Sequence, residues 1–136
     1  MLPKTYRLQV VNNTGVALAS TDSITITAIR KNVSPSTALA VYEASAATLI
    51  TGGASLASGA ALNGATQDNT AAGTGWFEGD CYFTATISTA TPAGNLDVYL
   101  QFSPDGGTTW PAQGTGELVG LLYFTAVGTM TTDFSI

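Results

Sequence analysis

The sequence contains no histidine, and this absence removes several classes of enzyme. Nucleophile pairs of the Ser–His and Cys–His type need an imidazole as general base. Imidazole is also a principal ligand of zinc and of several other transition metals. The sequence has neither a P-loop nor the G-x-G-x-x-G motif that binds dinucleotides. We therefore predict no catalytic residues, no metal ligands and no cofactor, and we expect the protein not to be an enzyme.

Charge and cysteine are also scarce. Charged residues make up 10% of the chain, against about 25% in typical soluble domains. The single cysteine, Cys81, excludes an internal disulfide framework, and its place in an alternating pattern predicts a buried, unreactive thiol. No stretch has the composition of a signal peptide or of a membrane span. We expect a soluble protein that is made in a cytoplasm and does not contact a membrane.

The basic residues end at position 31. They are Lys4, Arg7, Arg30 and Lys31. Residues 1–31 therefore carry a formal charge of +3, and residues 32–136 carry −8. Four basic groups and a pI near 4.1 are too little to neutralise many phosphates, so we expect no nucleic-acid partner. The asymmetry is compatible with an interface between subunits, in which the basic end of one copy faces the acidic part of another, and equally with scattered, solvated charges.

Threonine, alanine and glycine are what the sequence has in quantity, with 22, 20 and 15 residues. Threonine favours extended, half-exposed backbone because its branched Cβ restricts the side chain. Alternation of apolar and polar residues predicts seven strands. They cover residues 6–10, 23–29, 38–43, 81–87, 96–102, 118–127 and 131–136. For residues 38–43 a short helix is the alternative. Short strands near residues 48–50 and 56–62 are weaker predictions.

The spacing of the strands predicts one all-β domain over residues 1–136. About 7–8 short antiparallel strands separated by turns are typical of a single β-sandwich or a jelly-roll-like domain. The stretch from about residue 44 to residue 75 is rich in alanine, serine, glycine and threonine. We predict that this stretch forms a long loop region.

The segment 118–127 is apolar on both faces of the predicted strand. Two sets of side chains alternate along it: Leu118, Leu122 and Phe124 on one face, and Val119, Leu121, Tyr123 and Val127 on the other. Such a strand is either central and covered on both sides, or its outer face meets another chain. Val119, Leu121 and Tyr123 are therefore predicted, with the four basic residues, as a candidate subunit interface.

One sharp local motif occurs at residues 103–110, SPDGGTTW. It matches the Asp-box pattern S-x-D-x-G-x-T-W at Ser103, Asp105, Gly107, Thr109 and Trp110. We expect Asp105 to accept hydrogen bonds from backbone amides across the turn and Gly107 to supply a conformation closed to other residues. We expect Trp110 to pack beneath the hairpin. Asp boxes are best known from sialidase-like propellers, where they are structural, and this chain has too few arginines and residues for such an enzyme.

Four stretches together resemble small proteins encoded in the structural-gene modules of tailed bacteriophages. They are YRLQVVNNTG at residues 6–15, DNTAAGTGW at 68–76, LDVYLQFSPDGGTTWP at 96–111 and FTAVGTMTTDFSI at 124–136. The resemblance implies a virion protein made in the cytoplasm of a bacterial host. It implies either a capsid cement (decoration) protein bound to the major capsid protein, or a tail, neck, baseplate or fibre component. It carries over no functional residue.

Three hypotheses follow from the sequence. The first is a virion assembly protein that forms a homo-oligomer, for which we expect a trimer. The second is a carbohydrate-binding or adhesin module that uses Trp76, Tyr99 or Trp110 as stacking platforms. The third is a glycosidase that uses Glu78 and Asp80 as paired carboxylates. The first hypothesis agrees best with a low-charge surface that can be covered by partners.

Overall fold

The computed structural model describes residues 2–34, 36–69, 75–76, 78–88 and 93–136. Within these ranges every regular element is a β-strand, and no helix occurs. The ten strands are β1 (Thr5–Asn13), β2 (Ser23–Val33), β3 (Ala40–Tyr42), β4 (Ala47–Gly52), β5 (Ala61–Asn63), β6 (Gln67–Asp68), β7 (Glu78–Ile87), β8 (Gly94–Phe102), β9 (Glu117–Phe124) and β10 (Gly128–Ser135). The predicted all-β class is confirmed.

The strands form two antiparallel sheets of five strands each. In the first sheet the order is β5-β1-β8-β9, and β6 pairs with the same edge of β1 as β5. In the second sheet the order is β10-β7-β2-β3, and β4 shares the edge of β2 with β3. Contacts between β9 and β10, and between β4 and β5, join the two sheets along their two sides.

Strand β7 shows how the local sequence produces this arrangement. Cys81, Phe83, Ala85 and Ile87 are buried, whereas the residues between them face outward. Because side chains of a strand alternate between its faces, one face of β7 is apolar along its whole length. That face packs with Leu8 and other inward side chains of the first sheet in one shared hydrophobic cluster. The result is a sandwich-like architecture, and a jelly-roll topology stays a prediction.

The stretch from about residue 44 to residue 75, predicted as a long loop, contains β4, β5 and β6. Its small residues allow close contact of backbones. A Cβ atom on Gly64 would lie 2.4 Å from the Leu49 carbonyl oxygen, and the Gly64 amide donates to the Leu8 carbonyl at 2.8 Å. The weakly predicted strand at residues 56–62 is reduced to Ala61–Asn63. Residues 70–74, part of the phage-like stretch 68–76, lie outside the described residues.

The predicted strand at residues 118–127 is wrong in its extent and, at Leu118 and Val119, in the faces of its side chains. It ends at Phe124, and the chain turns into β10 at Gly128. Leu118 pairs with Tyr99 but Gly120 pairs with Val98, so Val119 is an extra residue in a β-bulge. The bulge reverses the alternation there. Leu118 is half-exposed on the outer face, whereas Val119 packs against the core beside Leu122 and Phe124.

Threonine covers the outer face of the second sheet. Thr51 pairs with Thr25, Thr25 with Thr84, and Thr84 with Thr131, so a row of threonines crosses β4, β2, β7 and β10. Each threonine presents a methyl group and a hydroxyl group to solvent, and cross-strand threonine pairs stabilise sheets. On this face, threonine side chains take the surface positions that charged side chains occupy in many proteins, which agrees with the abundance of threonine and the low content of charge in the sequence.

The buried thiol of Cys81 gives a first test of the fold. Burial, with a smaller contribution from the Asp80 charge, raises the pKa of the Cys81 thiol to about 12, so the thiol stays protonated at neutral pH. We expect the native protein not to react with a chromogenic disulfide reagent at about pH 8, where an ordinary thiol reacts readily. After unfolding in guanidinium, one thiol per chain should react. Rapid reaction of the native protein would contradict the described packing of β7.

Candidate interaction site

The Asp-box residues form a closed turn directly after β8. The Asp105 Oδ1 atom accepts hydrogen bonds from the Ser103 hydroxyl (2.7 Å) and from the amides of Thr108 (3.1 Å) and Thr109 (2.8 Å). The Thr109 hydroxyl donates to Asp105 Oδ2 at 2.6 Å, and the Gly107 amide donates to the Ser103 hydroxyl at 2.7 Å. These bonds, those from Thr109 foremost, hold the pKa of the Asp105 carboxyl well below its usual range. The carboxylate is thus fully engaged within its own turn.

Trp110 fixes this turn to the outer face of the first sheet. Gly107 has a φ of +100°, which favours glycine, and its carbonyl accepts a hydrogen bond from the Trp110 indole at 3.0 Å. The Arg7 guanidinium of β1 lies 4.3 Å from the centroid of the Trp110 ring. This distance permits a cation–π interaction. Trp110 therefore joins the Asp-box turn to a strand that is distant in sequence.

A buried polar network lies between the loop at residues 103–116 and the first sheet. Gln101 is completely buried, and its side-chain Oε1 atom accepts two hydrogen bonds from the Arg7 guanidinium, at 2.9 and 3.0 Å. The side-chain Nε2 atom of Gln101 donates to the backbone carbonyls of Ala112 (3.1 Å) and Thr115 (2.8 Å). Burial lowers the pKa of Arg7. The sequence did not predict this role of Gln101. A glutamine at an outward position of a predicted strand was the only feature that could have indicated it.

Arg30 joins the two sheets at the other side of the sandwich-like body. Its backbone amide and its Nε atom both donate to Glu43 Oε2 at 2.9 Å, and its Nη1 atom donates to Gln67 at 3.1 Å and to the Tyr6 hydroxyl at 3.4 Å. The ring centroid of Trp76 is 5.5 Å from the guanidinium. The hydrogen bond with Glu43 raises the pKa of Arg30. For Glu43, burial acts to raise the pKa of the carboxyl, but the hydrogen bonds and the charge of Arg30 outweigh burial, so that the pKa of Glu43 is lowered.

The basic residues predicted for a subunit interface are therefore engaged mainly within the chain. Arg7 and Arg30 make the contacts above, and Lys31 forms a salt bridge with Glu78. Lys4 lines a groove of about 600 Å³ beside Asp105 and Phe102. The interface role of these residues stays a prediction, but the structure does not bring them together in one basic patch.

Two clusters of exposed apolar side chains stand out on the described surface. Ten large hydrophobic residues are exposed there, and eight of them fall into two groups. The first group, the β9 strip, consists of Leu118, Leu121, Tyr123 and Val127. The second group, the arm, lies on the β2–β3 hairpin and consists of Val33, Leu39, Val41 and Tyr42. Of the three β9 residues predicted for the subunit interface, Leu121 and Tyr123 belong to the β9 strip. Val119 points inward and does not, whereas Leu118, which was not predicted, does.

The aromatic residues proposed for carbohydrate binding are Trp76, Tyr99 and Trp110, and each is partly exposed. A guanidinium group lies over one face of each tryptophan ring, Arg30 over Trp76 and Arg7 over Trp110. Sugar binding by stacking would have to use the other face of these rings or the Tyr99 ring, and it stays a prediction.

Three further findings concern metal binding, membrane insertion and the paired carboxylates. No three acidic or cysteine side chains come together as a metal-binding group in the part of the chain that the structure describes. In the same part, no helix is long and apolar enough to cross a membrane. Of the two carboxylates considered for catalysis, Glu78 is held by Lys31, and Asp80 accepts a hydrogen bond from the Ser135 hydroxyl at 3.3 Å.

The lowered pKa of Asp105 predicts how the loop responds to acid. The charged Asp105 carboxylate stabilises the folded protein at pH values above the pKa that Asp105 has in the unfolded chain. This stabilisation is lost as the pH falls through the lower pKa of Asp105 in the folded protein. In a Trp76→Phe background, Trp110 is the sole indole and reports on the loop. We expect its shielding from acrylamide to persist at pH values that half-protonate an ordinary aspartate.

Substitution of Asp105 tests the same turn without a change of pH. Asp105→Asn replaces one carboxylate oxygen with an amide that cannot accept, so we expect faster acrylamide quenching of Trp110 at neutral pH. Asp133→Asn, which removes an exposed acid on β10, is the matched control and should leave quenching unchanged. Equal quenching in the Asp105 variant and in the parent would show that these hydrogen bonds do not hold the loop.

Removal of Arg30 should destabilise the whole fold. Both side chains of the Arg30–Glu43 pair are 13% exposed, so Arg30→Met leaves a largely buried carboxylate without its guanidinium partner and with only the bond from the backbone amide of residue 30. We expect a loss of about 2–3 kcal/mol in the free energy of unfolding in urea, since loss of one member of a buried pair is strongly destabilising. The double variant Arg30→Met/Glu43→Leu should recover much of this loss. A single variant as stable as the parent would contradict the bridging role.

Comparison with known proteins returned no match. No protein-family model, no curated protein and no solved structure is significantly similar to this chain.

Proposed function

We propose that the protein is a non-enzymatic virion protein of a tailed phage, which binds and stabilises the major capsid lattice as a cement or decoration protein. The observation that carries this proposal is the pair of exposed apolar groups, the arm and the β9 strip. Among the described residues, no buried side-chain nitrogen or oxygen lacks a hydrogen-bond partner. The two apolar groups thus offer surfaces for contact with another protein.

The fold supports a role in assembly on physical grounds. Two packed antiparallel sheets, taken here as a jelly-roll-like sandwich, make a rigid body that loses little conformational entropy when it docks. The Asp-box loop adds rigidity because Gln101 and Arg7 fix it to the first sheet. A rigid module that repeats over a lattice can bind firmly through many modest contacts.

A tail, neck, baseplate or fibre component is the alternative, because the same surfaces would serve assembly there. The phage-like stretches of the sequence are compatible with both locations. The carbohydrate-binding alternative is weaker, since the Arg7 and Arg30 guanidinium groups already lie against Trp110 and Trp76. We place the protein in the virion, after synthesis in the host bacterium.

The location of the chain in intact particles tests the proposal. Virions from a host that carries the gene would be labelled with an antibody against the chain and imaged. We expect many labels per particle over the capsid shell. Label confined to the tail would favour the alternative location, and particles without label would contradict a virion role.

Binding to empty capsids gives a second readout for the same proposal. Purified protein should bind capsids that lack it in a saturable way. Because the exposed apolar groups carry little charge, we expect co-sedimentation to change little when the salt concentration is raised, whereas binding through exposed charges would weaken. Failure to co-sediment at any salt concentration would contradict the capsid role.

A further inference from the structure

We infer that the groove beside Lys4, Phe102 and Asp105 binds a short, uncharged oligosaccharide. This inference goes beyond the proposed virion role, because attachment to a capsid through the arm and the β9 strip needs no such groove. It also differs from the carbohydrate site expected from the sequence, since none of the three aromatic residues considered there lines the groove.

Two neighbouring cavities make up the groove, and Phe102 lines both of them. The larger cavity, of about 600 Å³, lies where β1 begins and where β6 and β8 end. The smaller cavity, of about 220 Å³, has a mainly apolar lining that includes Pro3 and Pro111. Sites for small molecules usually have volumes of about 300–1,000 Å³, so the larger cavity alone falls within that range.

Phe102 supplies an aromatic ring that the chain leaves open. The residue is 56% exposed, and it belongs to neither the arm nor the β9 strip. It occupies the last position of β8, opposite the fully buried Tyr6 of β1. Among the described residues, no cationic side chain lies over the Phe102 ring, in contrast to the rings of Trp76 and Trp110. The apolar C–H face of a sugar ring can therefore pack on Phe102.

The walls of the groove are fixed by contacts within the chain. The Ser103 amide donates to the Thr5 carbonyl at 2.9 Å, which holds the Asp-box turn against the start of β1. A Cβ atom on Gly107 would lie 3.3 Å from the Thr66 Cγ2 atom, so the turn also packs closely on the segment before β6. β6 itself pairs with the start of β1. A site that is already formed costs little conformational entropy when a ligand binds.

The polar groups of the groove suit a ligand rich in hydroxyl groups. Lys4 is exposed, and among the described residues its ammonium forms no salt bridge, unlike the basic groups of Arg30 and Lys31. It can donate hydrogen bonds to ligand oxygens. The Asp68 carboxylate and the Thr66 hydroxyl also line the groove, and both are able to accept from ligand hydroxyls. A sugar offers donors and acceptors around an apolar ring face, so it complements this lining.

The charges around the groove favour an uncharged ligand. The larger cavity is lined by one basic and two acidic residues, Lys4, Asp68 and Asp105, and the whole chain has a net charge of −5. A phosphorylated or carboxylated ligand would therefore meet net repulsion. The Asp105 carboxylate is engaged by its own turn, and the ammonium of Lys4 opposes a cationic ligand. A neutral saccharide avoids both conflicts.

Glycan binding by the full chain tests the inference. The protein would be applied to an array that carries uncharged oligosaccharides of hexose and N-acetylhexosamine units beside sialylated and sulfated glycans. We expect binding to uncharged members of the array. The bound glycans would then be titrated into labelled protein and followed by NMR. The amide signals of Thr66, Asp68 and Gly106 should shift, because these residues line the larger cavity.

Two variants and a control locate the binding site. Phe102→Ser removes the apolar ring that the ligand would bury, so we expect binding to weaken by roughly tenfold or more. Lys4→Met removes a hydrogen-bond donor and should weaken binding by roughly threefold to tenfold. Tyr82→Ser is the matched control, because Tyr82 is 51% exposed but lines neither cavity, and it should bind like the parent. Circular dichroism would verify the fold of each variant, and Lys4→Met decides alone if Phe102→Ser does not fold.

Several results would overturn the inference. They are an array without binding, binding confined to charged glycans, and folded groove variants that bind like the parent. A loss as large in the Tyr82→Ser control would also overturn it, since the groove would then not be the site. Capsid binding is a separate readout. Groove variants should still co-sediment with capsids, so a failure to bind glycans and a failure to bind capsids contradict different proposals.

Discussion

Packing of the inner faces of two five-stranded sheets against each other is the interaction on which the rest of the structure depends. It takes up the apolar side chains that alternate along the strands, such as Ile26 and Phe83, both fully buried. Hydrophobic burial of this kind supplies most of the favourable free energy of folding. It also fixes what remains outside, since alternation sends every second residue to an outer face.

The outer faces of the two sheets are covered in different ways. The second sheet carries threonine, as in the row that includes Thr25 and Thr84, and so stays hydrated with few charges. The first sheet is partly covered by the Asp-box loop, whose backbone carbonyls satisfy the buried Gln101. The arm and the β9 strip are neither lined by threonine nor covered by the loop at residues 103–116. They are apolar surfaces that the fold of a single chain leaves uncovered, and the proposed role assigns them to contacts with another protein.

Features set by neighbours in sequence were predictable, whereas features set by distant pairing were not. The apolar alternation of β7 and the hydrogen-bonding pattern expected around Asp105 depend on residues within one segment. The reversal at Val119 was unpredictable because the bulge arises from pairing with β8. The network around Gln101 depends on Arg7, which is 94 positions away. The contact of Arg30 with Glu43, 13 positions away, was likewise not visible in the sequence, because the fold brings the two side chains together.

The central proposal is that the arm and the β9 strip are the surfaces through which the protein binds the capsid. Hydrogen exchange of the unmodified protein with and without empty capsids tests it most directly. The proposal predicts that backbone amides of Ala40–Tyr42 and Glu117–Phe124 become protected together when capsids are added, while those of β7 stay equally protected. Exchange that capsids leave unchanged in both segments, or change in only one of them, would contradict the proposal.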